Sequence, residues 1–126
     1  MIKYEIAEDV EKLARDIVYR LSDYFGHVNI DRVKFIRSIG SRSSAIARIH
    51  GLPRIWRYVL NIEPMYIIEV ISEKYDQLST EEKVKIIIHE LLHIPIKFSG
   101  GLRPHGKYVN YRIVNKLLRT YLRRRE

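Results

Sequence analysis

Residues 79–95 read Ser-Thr-Glu-Glu-Lys-Val-Lys-Ile-Ile-Ile-His-Glu-Leu-Leu-His-Ile-Pro. Ser79 and Glu82 stand at the spacing of a capping box, in which each side chain satisfies the other's free backbone N–H at a helix start. Pro95 stops the helix at about Ile94. Between these signals lies His89-Glu90-Leu91-Leu92-His93, an H-E-x-x-H motif. Two histidines four apart lie one turn above each other on the same helix face, so both imidazoles reach a common ion. Glu90 projects beside them, where a general base must be to contact a metal-bound water. The helix is apolar on most of its circumference (Val84, Ile86, Ile87, Ile88, Leu91, Leu92). Uncompensated histidines and a glutamate there would be costly to bury, and a metal removes that cost.

Downstream, the loop from Ile96 to Gly106 carries three glycines that permit a tight reversal toward the helix just left. A catalytic zinc takes three protein ligands and one open position. His105, twelve positions after His93, supplies the third ligand. The metzincin spacing, with a third histidine six positions on, is absent, and the last helix has no acidic residue before Glu126. Cysteine is also absent, which excludes disulfides, thiolate zinc sites, iron–sulfur clusters and cysteine nucleophiles. Zinc lowers the pKa of a bound water to roughly 7, so Glu90 as proton acceptor points to hydrolysis of an amide. Tyr108, Arg103 and Tyr111 are the candidates for stabilising the oxyanion. Sites of this donor type also accept Co, Ni or Mn.

Upstream, apolar residues from Val10 to Phe25 recur at three and four, predicting one helix over 6–25 that stops at Gly26. Four segments rich in branched and aromatic residues (33–39, 45–50, 55–60 and 66–71) predict three or four strands, with turn residues between antiparallel neighbours. In this reading Trp56 and Tyr58 are strand-core aromatics, with a base-stacking platform beside Arg54 and Arg57 as the lesser alternative. The 66–71 strand is either an internal strand or an edge that pairs with an extended substrate. A last helix over 109–122 buries Ile113, Val114, Leu117, Leu118, Tyr121 and Leu122, and shows a stripe of Arg112, Lys116, Arg119 and Arg123. His27 and His50 have no spaced partner and read as structural. The fold class predicted is α+β: an N-terminal helix, a small, mostly antiparallel sheet, the H-E-x-x-H helix and a C-terminal helix, in one domain over 1–126.

The stretches Ile88-His89-Glu90-Leu91-Leu92-His93-Ile94-Pro95 and Ser99-Gly100-Gly101-Leu102-Arg103-Pro104-His105-Gly106 resemble a family of metallopeptidases described from archaea, bacteria and their viruses. Ala47-Arg48-Ile49-His50-Gly51-Leu52-Pro53 and Tyr66-Ile67-Ile68-Glu69-Val70 extend that resemblance over most of the chain. More distantly the chain is similar to SprT-like and Spartan proteases, whose H-E-x-x-H helix is followed by a loop with a third His-Gly, here His105-Gly106. The resemblance implies a minimal zincin fold, one zinc on His89, His93 and His105, Glu90 as base, and a protein or peptide substrate. SprT-like proteases act on proteins bound to DNA, but the cysteine-rich zinc ribbon that often accompanies them is missing.

The net charge of +8, with a pI near 9.8, suggests attraction to nucleic acid, anionic surfaces or acidic protein segments. It carries the alternative function, a nucleic-acid-associated basic module with a structural or vestigial metal site. The stripe from Arg112 to Arg123 is the candidate phosphate-binding patch. Neither a signal peptide nor a membrane-spanning run is legible, so the expected location is cytoplasmic and no membrane partner is expected. Richness in Ile, Arg, Lys, Glu and Tyr with a single Gln also fits a heat-adapted chain.

Overall fold

The structure, a computed structural model, describes residues 1–126. In chain order it contains β1 (Lys3–Ile6), α1 (Glu8–Arg20), α2 (Ser22–Phe25), a 3-10 turn (Ile30–Arg32), β2 (Val33–Ile39), β3 (Ala47–Gly51), α3 (Arg54–Leu60), β4 (Tyr66–Ile71), α4 (Ser72–Tyr75), α5 (Thr80–Leu92) and α6 (Tyr111–Arg125). The α+β class holds. The four strands form one sheet in the order β1-β2-β4-β3. Its two outer pairings are antiparallel and the central β2–β4 pairing is parallel, running from Val33↔Tyr66 to Ser38↔Ile71.

Alternation along the strands sends Val33, Phe35, Tyr66, Ile68 and Val70 to one buried face. Val10, Ala14 and Ile17 of α1 and Val84, Ile87, Ile88 and Leu91 of α5 join them in a single core. α6 packs on α5 and α1 through Val114, Leu117, Leu118 and Tyr121. Ile113 and Leu122, predicted to be buried with them, are only partly covered. The Asn110 side chain caps α6 by accepting from the Ile113 N–H at 3.0 Å.

Three sequence expectations are corrected and one open alternative is resolved. The helix predicted over 6–25 starts only at Glu8, because residues 3–6 are drawn into an antiparallel pairing with Ile36–Ile39 that no local periodicity reveals, and it breaks at Leu21 into α1 and α2. The 55–60 segment is not a strand but α3, entered after Pro53 and closed by Asn61 in the left-handed region at φ 53°. Its branched and aromatic residues have no neighbouring strand, so Trp56 and Tyr58 are exposed and not core. Of the two alternatives for the 66–71 strand the internal one holds: β4 lies between β2 and β3. Finally, β2 and β3 are not antiparallel neighbours joined by a turn, since β3 has crossed to the far side of β4.

The free edge of the sheet on that side is therefore β3. Ile71 donates its backbone N–H to the Ile46 carbonyl and Leu52 to that of Met65. Given the register Ala47↔Val70 to Gly51↔Tyr66, the alternation of bonded and non-bonded pairs directs the N–H and C=O of Ala47 and Ile49 outward. α5 packs against this strand, which brings the motif helix to the open edge.

Candidate metal centre

The predicted capping box starts α5: Ser79 N–H donates to Glu82 Oε1 at 3.0 Å, and Glu82 N–H to Ser79 Oγ at 3.2 Å. At the other end the carbonyls left free by the helix are taken up one by one. Arg103 does most of this. Its guanidinium donates twice to the Leu92 carbonyl, from Nε at 3.1 Å and Nη2 at 2.9 Å. Its backbone N–H donates to the His93 carbonyl at 2.7 Å. His27 Nε2 reaches the Ile94 carbonyl at 3.2 Å, so this histidine is structural.

The return loop is pinned at a second point. Tyr66, fully buried on β4, accepts from the Gly100 N–H at 2.8 Å and donates to the Gly101 carbonyl at 2.9 Å. Gly100 sits at φ +92°, and a Cβ on the facing Gly51 would come within 2.4 Å of the Gly100 carbonyl oxygen. Glycine at both positions lets loop and strand touch backbone to backbone.

This clasp brings His105 onto the motif helix. One ligand nitrogen each from His89, His93 and His105 lies within 4.8 Å of the others, and His89 Nε2 is 3.0 Å from His105 Nε2. Tetrahedral zinc with Zn–N near 2.0–2.1 Å puts its ligand nitrogens roughly 3.3 Å apart, so small rotations close the set. His93 donates Nδ1–H to the Arg103 carbonyl at 2.5 Å, leaving Nε2 with its lone pair toward the cluster. Burial, reinforced by His93 and His105, pushes the His89 imidazole down to about 4. Burial also lowers His93. Both rings are thus neutral near pH 7, the form that binds metal. The donor set fits a divalent ion that favours imidazole.

Glu90, in the next position along α5, is buried, and burial alone raises its carboxyl to about 7. No cation of the chain offsets this, whereas an ion held by the histidines would favour the carboxylate. His89 and Glu90 line both a cleft of about 480 Å³ with Ala47, Ile46 and Tyr111 and an adjoining hollow with Ile49, His93 and His105. The two hollows share Ala47, so the groove follows the open edge of β3.

The other predicted residues do not form one cluster. Tyr111 lines the cleft beside Glu90. Tyr108 is exposed, its ring 5.0 Å from the Arg103 guanidinium. Arg103 is committed to the Leu92 carbonyl. Arg112, Lys116, Arg119 and Arg123 are all exposed on α6. Sequence reasoning missed the clasp residues Tyr66 and Gly51, although the glycines of the loop hinted at a close approach. It also missed Glu69, which is 2% exposed on the outer face of the sheet, where Arg48 and His50 both reach its Oε1 at 2.9 Å. Burial raises this carboxyl, but the bonds from Arg48 and His50 prevail and hold it at about 2.

A small α+β domain with an H-E-x-x-H helix, a third histidine returned by a loop and a groove along an open strand is the architecture of a minimal metallopeptidase. The chain belongs to the family described as "Putative phage metallopeptidase", whose family model matches residues 2–122. Neither a curated protein nor a solved structure matches the chain.

Proposed function

We propose that the protein is a zinc-dependent metallopeptidase, one domain over residues 1–126, with His89, His93 and His105 as the ligands of one zinc and Glu90 as the catalytic base. The observation that carries this is Glu90 itself: a carboxyl buried without a cationic partner, next to three convergent imidazoles and open to the same groove. A purely structural metal site has no use for such a group. When bound, zinc supplies Lewis acidity, which polarises a carbonyl and makes water nucleophilic near neutral pH.

The chain's own residues supply the rest. Ala47 and Ile49 offer unpaired backbone groups along β3, with which an extended peptide can pair as an added strand. Glu90 takes the proton of the attacking water and returns it to the leaving nitrogen. Tyr111, in the cleft, is the hydroxyl best sited to donate to the oxyanion. Arg103, with its guanidinium engaged, acts by positioning His93 and the loop rather than as an oxyanion donor. Co, Ni or Mn would occupy the same nitrogens. The test is Glu90→Gln, assayed on an unfolded, dye-labelled protein. The variant keeps its metal and loses hydrolysis by about 10²–10⁴-fold. Cleavage at the wild-type rate by the metal-loaded variant overturns the mechanism.

A second reading has its own observation. Arg20 and Arg124 are neutralised by Asp16 and Asp23, whereas Arg112, Lys116, Arg119 and Arg123 remain exposed in a row along α6. They can track phosphates independently of sequence, so binding to duplex DNA should weaken steeply with salt. A flat salt response dismisses this reading.

A further inference from the structure

α3 is inside out. Its apolar residues are exposed: Ile55 70%, Trp56 59%, Tyr58 85%, Val59 72% and Leu60 53%. The residue turned inward is Arg57, whose Nε is buried without a partner and would lie 3.1 Å from a Cβ on Gly100. At 100° per residue the exposed apolar arc from Tyr58 through Ile55, Val59 and Trp56 to Leu60 spans about 200°. A stripe that packs on a core or a partner needs only about half of that. Leaving such side chains in water forgoes what burial contributes elsewhere in the fold, so the helix is built for an apolar environment outside the chain.

The rim of this knob is cationic. Arg54 and Arg57 line a shallow hollow with Glu63 and Pro64, and Arg32 donates to the Glu63 and Pro64 carbonyls at 2.7 and 3.2 Å. Arg32, Arg54 and Arg57 thus lie around the base of the helix with Glu63 as the one acidic residue beside them, and none of the three is ion-paired. A second copy would bring like charges together. A flat protein surface would cover one side of the arc, and a two-turn knob supplies little of the ~800 Å² per partner that stable interfaces need. A convex apolar tip with Trp and Tyr, bordered by the exposed Arg54, matches a fluid apolar layer beneath anionic groups. We propose that α3 is a membrane-surface anchor that inserts Ile55, Trp56, Val59 and Leu60 into an anionic lipid bilayer while Arg54 meets the headgroups. No helix of the chain is long and apolar enough to cross a membrane, so the anchor lies in the interface.

Trp56 is the sole tryptophan and reports on this site alone. The full chain is titrated with vesicles of phosphatidylcholine and phosphatidylglycerol, and separately with phosphatidylcholine alone. The expected result is a blue-shifted Trp56 emission with the anionic vesicles, quenched by brominated acyl chains and weakened by salt. Affinity should fall by roughly tenfold or more in the Ile55→Glu/Val59→Glu variant, which replaces two exposed residues and keeps Trp56. Circular dichroism and the urea midpoint check that this variant is folded. Three outcomes overturn the proposal: unchanged emission with anionic vesicles, which leaves an acidic protein partner as the occupant; a blue shift that follows protein concentration without lipid, which signals a second copy; and vesicle binding that the double variant does not weaken.

Discussion

Tyr66→Phe deletes one oxygen and isolates what the clasp contributes. The ring stays, packed edge-on to Phe98 with centroids 5.1 Å apart, so no cavity larger than a hydroxyl is made. Two hydrogen bonds go: the Gly100 N–H at 2.8 Å and the Gly101 carbonyl at 2.9 Å. Gly100 is half-buried and its N–H is left short of a partner, costing about 1–3 kcal/mol, whereas the exposed Gly101 carbonyl regains water and costs about 0.5–1 kcal/mol. The sum is about 1.5–4 kcal/mol against the docked loop. If only the docked loop presents His105, 2 kcal/mol converts to at most about a 30-fold loss of apparent zinc affinity. Urea unfolding of the metal-free variant measures the first quantity, and competition with a chromophoric chelator the second. A metal-free midpoint equal to wild type, with zinc affinity within about threefold, would refute the claim that this hydroxyl holds the loop. Lost stability with unchanged affinity would show instead that the loop docks but His105 is not a ligand.

Two further outcomes follow from the site and the sheet. Mass spectrometry of the native protein should find one zinc per chain, lost or much weakened in His105→Ala; no uptake on zinc titration would remove the metal reading altogether. Glu69 has its carboxyl depressed from 4.5 to about 2, so its contribution is present above pH 4.5 and is lost as pH falls from there toward 2. At 1.36 kcal/mol per unit this amounts to about 3 kcal/mol. The stability gap between wild type and Glu69→Gln should therefore be widest above pH 5 and narrow below it; a gap independent of pH would contradict the Arg48–Glu69–His50 account.

What the sequence determined by itself was whatever depends on neighbours along the chain. The capping box, the H-E-x-x-H face and the Pro95 stop are events within a few residues, and strands 33–39 and 66–71 carry enough branched residues to be bounded correctly. The grouping of His105 with His89 and His93 was legible because the chain offers few other metal-binding side chains after the motif. Tertiary structure alone decided the remainder. Residues 3–6 become a strand only because β2 offers an edge, and 55–60, just as rich in branched and aromatic residues, becomes a helix because no strand lies beside it. Strand order is not written in spacing: a turn-rich connection between β2 and β3 looks the same whether the strands pair or, as here, β4 enters between them. That insertion makes β3 the open edge beside the histidines. It also sets Tyr66 beneath the return loop, where its hydroxyl, 35 residues back in sequence, and the facing glycines Gly51 and Gly100 hold the loop and help to bring His105 to the motif helix.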